Sequence, residues 1–152
     1  MINTSTFPRR LLGRAAPLAL LLLASASLHA EQPLSILLNG TAEVPPVLTP
    51  ASATGKFIVL PDRSISGNIR FSGMAPTMAH IHEAPVGKNG PPIITLSKTP
   101  DDSYSVPAGT RLSEAQYTSH ATGKVYVNVR SARHPDGEIR AQLPGKPMLL
   151  AN

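Results

Sequence analysis

The sequence of 152 residues contains no cysteine. It therefore forms no disulfide, and its domain must be held together by its core alone. A metal site in this chain would have to be built from histidine, carboxylate or backbone ligands. Thiolate zinc sites and blue-copper sites are excluded, because both need cysteine.

The chain also lacks the motifs of nucleophilic and phosphate chemistry. It has no Gly-x-Ser-x-Gly sequence, so no nucleophile elbow is indicated. The glycine-rich stretch 87–92 lacks the Gly-x-x-x-x-Gly-Lys-Ser/Thr spacing of a phosphate-binding loop. The paired carboxylates Asp101 and Asp102 lie in a polar stretch, where we expect them to be solvated. We therefore predict that the protein is not an enzyme.

Clusters of basic residues are missing from the main part of the chain. The net charge is +5, but three of the 14 Lys and Arg residues lie within residues 1–30, which contain no acid. The remainder carries a net charge of only +2. A nucleic-acid partner is therefore not expected.

Residues 1–30 have the pattern of a secretory signal peptide. Three arginines precede a short apolar run, and small residues then offer cleavage sites after Ala26 or Ala30. The run is too short to span a membrane, so no transmembrane segment should remain after cleavage. We predict a periplasmic or secreted protein with one domain at residues 33–144 and a loose tail at residues 145–152.

Short β-rich runs separated by Pro and Gly predict an all-β fold. The 16 prolines and 11 glycines argue against long helices, and residues 112–117, with Ser113 as the cap, are the one helical candidate. Gly67 indicates a bulge or a close backbone approach. The predicted strands are 33–38, 55–60, 64–72, 78–83, 93–96, 124–130 and 138–143. We expect an antiparallel, Greek-key-like β-sandwich of about seven strands.

His80 and His82 are the most informative pair of side chains. In a β-strand they share one face, with Cα atoms about 6.6 Å apart. Two imidazoles at that spacing can converge on one metal ion, for which copper or zinc is the favoured choice. A third ligand would have to come from His120 or His134. Alternatively, the two histidines are held by hydrogen bonds and brace the loop that follows them.

The last predicted hairpin carries a second polar group. Asn128 and Arg130 lie on one strand and Glu138 and Arg140 on the other, all on the face opposite the valines. These residues could form a polar ligand site. They could equally form cross-strand pairs, with Arg130 and Glu138 flanking the Pro-Asp-Gly turn, and this pairing is the interpretation we favour.

Three segments together resemble the CHRD domain, a module named after chordin that also occurs alone in exported bacterial proteins. They are NGTAEVPPV at 39–47, HIH followed by GKNGPP and a leucine at 80–96, and YVNV followed by PDGEIR and Gln142 at 126–142. The resemblance covers residues 34–143. It implies a β-sandwich of the superoxide-dismutase or immunoglobulin kind, whose biochemical role is poorly defined. The family usually has histidine where this chain has Arg130, which removes one possible metal ligand.

From these observations we predict an exported binding or structural module whose partner is an unknown protein or small ligand. Its functional surface should lie where His80, His82, the 84–92 loop and the 131–137 turn meet. The alternative is a periplasmic copper or zinc binder that uses His80 and His82. No other cofactor is indicated.

Overall fold

A computed structural model of the protein describes Met1 and residues 32–145. The predicted signal peptide lies almost entirely outside the described residues. The predicted C-terminal tail also lies outside them, except for Gly145.

The described chain consists of short strands and one α-helix. The strands are β1 (Leu34–Asn39), β2 (Ser52–Val59), β3 (Ile65–Ser72), β4 (Pro76–Glu83), β5 (Pro92–Thr95), β6 (Ser97–Lys98), β7 (Tyr104–Ser105), β8 (Val125–Ser131) and β9 (Ile139–Gln142). A 3-10 turn at Gly40–Ala42 follows β1, and helix α1 (Glu114–Ala121) precedes β8.

The strands form one antiparallel sheet in the order β5-β4-β8-β9-β1-β2-β3-β7-β6. This sheet is nearly closed and barrel-like. The all-β, antiparallel prediction is thus confirmed, but the structure has nine strands in a continuous sheet where the sequence predicted about seven in a sandwich. The Greek-key description is not confirmed either.

The two additional strands, β6 and β7, lie in a segment that the sequence indicated was only a polar connection. Each has two residues, too few for alternation to be visible. Tyr104 is buried and meets the ring of Phe71 edge to face, with the centroids 5.6 Å apart. This aromatic contact adds to the antiparallel pairing of β7 with β3.

Helix α1 begins where the sequence predicted. The Ser113 side chain accepts a hydrogen bond from the Gln116 N–H, and the Gln116 side chain accepts one from the Ser113 N–H. This reciprocal capping box satisfies two N–H groups at the helix start. Among the residues described, no helix is long and apolar enough to cross a membrane.

The core is a single cluster of side chains from both halves of the sheet. Along β8 the odd-numbered valines are fully buried, and Ile81 and Ile139 on the neighbouring strands join them. The even-numbered residues of β8 point to the opposite face, and Tyr126 and Asn128 are buried there as well. The sheet around β8 is therefore covered on both sides, and the second cover creates the site described below.

Gly67 allows a close approach, as its position in the sequence predicted. It lies opposite Phe57 in the β2–β3 register, and a Cβ atom at residue 67 would collide with the Phe57 ring and the Lys56 carbonyl. The fully buried Phe57 ring therefore occupies space that any other residue at position 67 would take.

We predict that Gly67→Ala lowers the free energy of unfolding by about 1–3 kcal/mol through overpacking. Alanine otherwise stabilises a strand relative to glycine, so the sign of the effect is diagnostic. Urea denaturation measures it, with the exposed Ser66→Ala as the control on the same strand. An unchanged or higher stability for Gly67→Ala would contradict the packing described.

Candidate functional site

The outer face of β4, β8 and β9 carries polar side chains in a regular array. His80 lies opposite Asn128, which lies opposite Arg140, and in the next row His82 lies opposite Tyr126. We call the array the polar layer. Its members are His80, His82, Tyr126, Asn128, Arg130, Arg140 and Gln142. All of them except Arg130 and Gln142 are at least nine-tenths buried.

Two segments cover the polar layer. One is the 3-10 turn after β1, where Gly40 accepts hydrogen bonds from the Glu43 and Val47 N–H groups and so turns Glu43 inward. The other is the loop 84–92 after β4. The Asn89 amide joins the two segments by donating to the Val44 carbonyl at 2.8 Å.

Three side chains of the layer stack across three strands. The rings of His82 and Tyr126 are nearly parallel, 13° apart in orientation, with centroids separated by 4.8 Å. The guanidinium carbon of Arg140 lies 3.3 Å from the Tyr126 ring centre. Because β8 lies between β4 and β9, His82 and Arg140 contact opposite faces of the tyrosine. This cation–π contact is desolvated, the situation in which such contacts are strongest.

Arg140 also fixes the 84–92 loop. Its guanidinium donates to the Lys88 carbonyl at 2.7 Å and to the Asn89 Oδ1 at 3.1 Å. The Tyr126 hydroxyl accepts a hydrogen bond from the Gly90 N–H at 3.1 Å. Arg140 is thus a structural residue that joins the loop to the sheet.

The hydrogen bond of His82 determines its tautomer. Its Nδ1 lies 2.9 Å from the Gly90 carbonyl oxygen, which can only accept, so Nδ1 carries the proton. Among the described residues, the buried Nε2 has no hydrogen-bond partner. His82 therefore presents a lone pair at Nε2 when it is neutral.

His80 and His82 lie side by side, as the sequence predicted for an extended strand. Their rings are nearly perpendicular, with centroids 5.6 Å apart. Burial lowers the pKa of both histidines, and the positive charge of Arg130 lowers it further. Both shifts favour the neutral form of the imidazole.

Glu43 is a buried acid at the edge of the polar layer. Its Oε1 accepts a hydrogen bond from the Asn128 side chain at 2.7 Å. Burial raises the pKa of Glu43 to about 6, against the lowering effects of the Arg140 charge and of this hydrogen bond. Gly137, at φ 152°, leaves the necessary space, because a Cβ there would meet both Glu43 and Asn128.

A cleft of about 600 Å³ opens onto this part of the layer. His82, Asn128 and Arg130 line its inner wall, and the turn 133–137 and the segment around Val44 form the rim. We predicted that the two histidines, the 84–92 loop and the 131–137 turn would meet. His82, Asn89 and Gly90 of the loop, and the turn residues 133–137 do line one cleft. His80 lies beside the cleft and does not line it.

The two histidines proposed as a third metal ligand lie apart from the pair formed by His80 and His82. His120 is buried on α1, and His134 lies at the rim of the cleft. Within residues 32–145, no three His, Asp or Glu side chains are grouped as a metal site would need, so neither histidine completes a set with His80 and His82.

Glu138 does not form the ion pair with Arg130 that we favoured. Its Oε1 accepts a hydrogen bond from the Thr49 hydroxyl at 2.6 Å, and the ion pairs in the described part of the chain all involve other residues. Asn128 and Arg140 likewise bond to segments outside their hairpin. Contacts between distant segments therefore replace the local cross-strand pairing.

Sequence reasoning did not select Glu43, Tyr126 or Asn89 as site residues. Glu43 and Asn89 lie in segments that carried the family resemblance, and Tyr126 alternates with Asn128 on β8. Those signals were present, but only the folded chain shows that the three side chains meet.

The match to known proteins is confined to the family level. Residues 34–143 match the CHRD domain model, which covers most of the chain. The protein therefore belongs to the CHRD domain family, as its motifs predicted. No curated protein and no solved structure shows significant similarity to the chain.

We predict that Glu43→Gln raises the stability of the protein at neutral pH. An acid whose folded pKa is about 6 and whose ordinary value is 4.5 binds more protons in the folded state, so its ionisation destabilises the fold as pH rises between these values. The variant should gain up to about 2 kcal/mol over the wild type above pH 6.

Urea unfolding from pH 4 to pH 8 measures this difference. The lowered pKa values of His80 and His82 act in the opposite direction, but they are common to both proteins and cancel in the comparison. The exposed Glu114→Gln, which removes an acid outside the polar layer, is the matched control, and each curve is compared with that of the wild type. A parallel curve for Glu43→Gln would refute the assignment.

Proposed function

We propose that this CHRD protein is an exported, non-catalytic binding module, and that the cleft above β8 holds its ligand. The observation that carries the proposal is a set of buried polar atoms without partners in the described structure: Nε2 of His82, Oδ1 of Asn128 and Nε of Arg130. All three residues line the cleft. Its volume lies within the usual range for small-molecule sites.

Unpartnered buried polar atoms are uncommon because each lost hydrogen bond costs about 1–3 kcal/mol. The neighbouring Arg140, in the same layer, has its guanidinium hydrogen-bonded to the 84–92 loop. The contrast between Arg140 and Arg130 supports a division of roles. Arg140 holds the loop, whereas Arg130 remains available to a ligand.

We predict opposite effects for Arg130→Met and Arg140→Met on the free protein. Arg140→Met should lower the free energy of unfolding by about 2–4 kcal/mol, since it removes two charge-assisted hydrogen bonds and a cation–π contact. Arg130→Met should leave stability unchanged or raise it, because it removes a buried Nε without a partner and breaks no ion pair among the described residues.

Urea unfolding gives both stabilities, and a thermal-shift screen of anionic, neutral and cationic small molecules tests binding. A compound that stabilises the wild type should fail to stabilise Arg130→Met. Equal destabilisation by the two substitutions would make Arg130 a structural residue too. A screen in which no compound acts through the cleft would leave the polar layer as a structural brace only.

The second candidate function is copper or zinc binding by His80 and His82. The observation that favours it is the tautomer of His82, since metal-ligating histidines commonly donate their other N–H to a carbonyl group and keep a free lone pair. Arg130 opposes it, because its charge already disfavours protonation of both imidazoles and would disfavour a metal cation in the same way.

If the metal candidate is correct, the purified chain should bind one equivalent of copper or zinc, and His80→Ala should abolish binding. Isothermal titration calorimetry with each metal salt measures both. His134→Ala, at the rim of the cleft, is the control and should bind metal like the wild type. No uptake at micromolar metal would exclude this function.

A further inference from the structure

The charge of Arg130 is not neutralised by the residues around it. Glu43 is the acid on the inner wall, but it is hydrogen-bonded to Asn128 and is influenced more strongly by the charge of Arg140 than by that of Arg130. No ion pair in the described part of the chain includes Arg130. A half-buried cation in this position is stabilised by a ligand anion.

The charge of Arg130 also acts on the two histidines beside it. Burial lowers the pKa of His80 and His82, and the charge of Arg130 lowers it further, so the guanidinium acts on both rings. Arg133 adds a second positive charge at the rim, where the exposed Asp136 is the neighbouring acid. An ammonium group placed beside the Arg130 guanidinium would be repelled by it.

The two other unpartnered atoms define what the rest of the ligand must provide. Oδ1 of Asn128 and Nε2 of the neutral His82 both accept hydrogen bonds. Because the Arg130 charge lies close to both atoms, the ligand groups that donate to them should carry no positive charge. Hydroxyl groups meet this requirement, and ammonium groups do not.

The spacing of these groups fits one small molecule. Asn128 and Arg130 project from the same face of β8 two residues apart, which places their Cα atoms about 6.6 Å from each other. A guanidinium binds a carboxylate through paired hydrogen bonds. We infer that the cleft binds a hydroxylated carboxylate, such as a hydroxy acid or sugar acid, with its carboxylate on Arg130 and its hydroxyls on Asn128 and His82. This inference rests on the proposed binding function.

An NMR titration of the purified chain with four probes at equal ionic strength tests the inference. D-glucuronate carries both features, D-glucose lacks the charge, acetate lacks the hydroxyls, and D-glucosamine carries a cation instead. Millimolar glucuronate should shift the backbone amides of residues 128–130 and 137. Acetate should bind at least about tenfold more weakly, and glucose and glucosamine should leave those amides unmoved.

Two variants identify the group that recognises the charge. Arg130→Met should weaken glucuronate binding by about tenfold or more, whereas Lys56→Met, which removes an exposed positive charge on β2, should bind like the wild type. Unchanged binding by Arg130→Met, or no binding of glucuronate, overturns the inference. Shifts at the same amides with glucose or glucosamine alone would overturn it while leaving the cleft as the binding site. A wild-type cleft that responds to no compound of the wider screen refutes the binding function itself.

Discussion

The structure depends on the burial of the β4-β8-β9 sheet on both of its faces. The inner face is apolar, so packing against other apolar side chains is enough to stabilise its burial. The outer face is polar, and burying it is tolerated only if its groups find partners. Those partners come from two segments outside the three strands, the turn that carries Glu43 and the 84–92 loop, which includes Gly90. The polar layer is therefore a second, hydrogen-bonded core, and its incomplete satisfaction beside the cleft is the feature that needs a functional explanation.

The two arginines of the polar layer, Arg140 and Arg130, differ in what they contact. Arg140 lies over the Tyr126 ring, donates to the 84–92 loop, and has its own pKa lowered by burial against the raising effect of the Glu43 charge. Glu43 in turn has its pKa raised, so the burial of both groups carries a cost that only their mutual attraction and hydrogen bonds offset. Arg130 contributes less to this balance, because its charge acts on Glu43 more weakly than that of Arg140 and it forms no ion pair among the described residues. Its freedom follows from its position two residues beyond Asn128, past the last row of the layer that the 84–92 loop covers.

Local patterns in the sequence predicted much of the fold. The alternation in 124–130 gave the two faces of β8, and the Ser113 cap gave the start of α1, because both depend on neighbouring residues only. The seven longer strands were recognised within a few residues. The strands β6 and β7 were missed because two residues carry no periodicity. The side-by-side histidines were predicted for the same local reason, whereas Glu43 over Asn128 was not, since a contact 85 residues apart in sequence depends on the closure of the whole sheet.

The residue at position 130 decides between the two chemistries that the polar layer can support. It lies on the same face as His80 and His82, next to the row that contains His80 and Asn128. A neutral, metal-ligating side chain at position 130 would add a third lone pair to those of the two imidazoles. The polar layer would then suit a metal cation. A guanidinium there offers only donors and a fixed positive charge, so the same imidazoles become hydrogen-bond acceptors beside a cationic anchor. In this chain the burial and the charge of Arg130 therefore both favour the neutral form of the two histidines, and Arg130 itself forms no ion pair among the described residues.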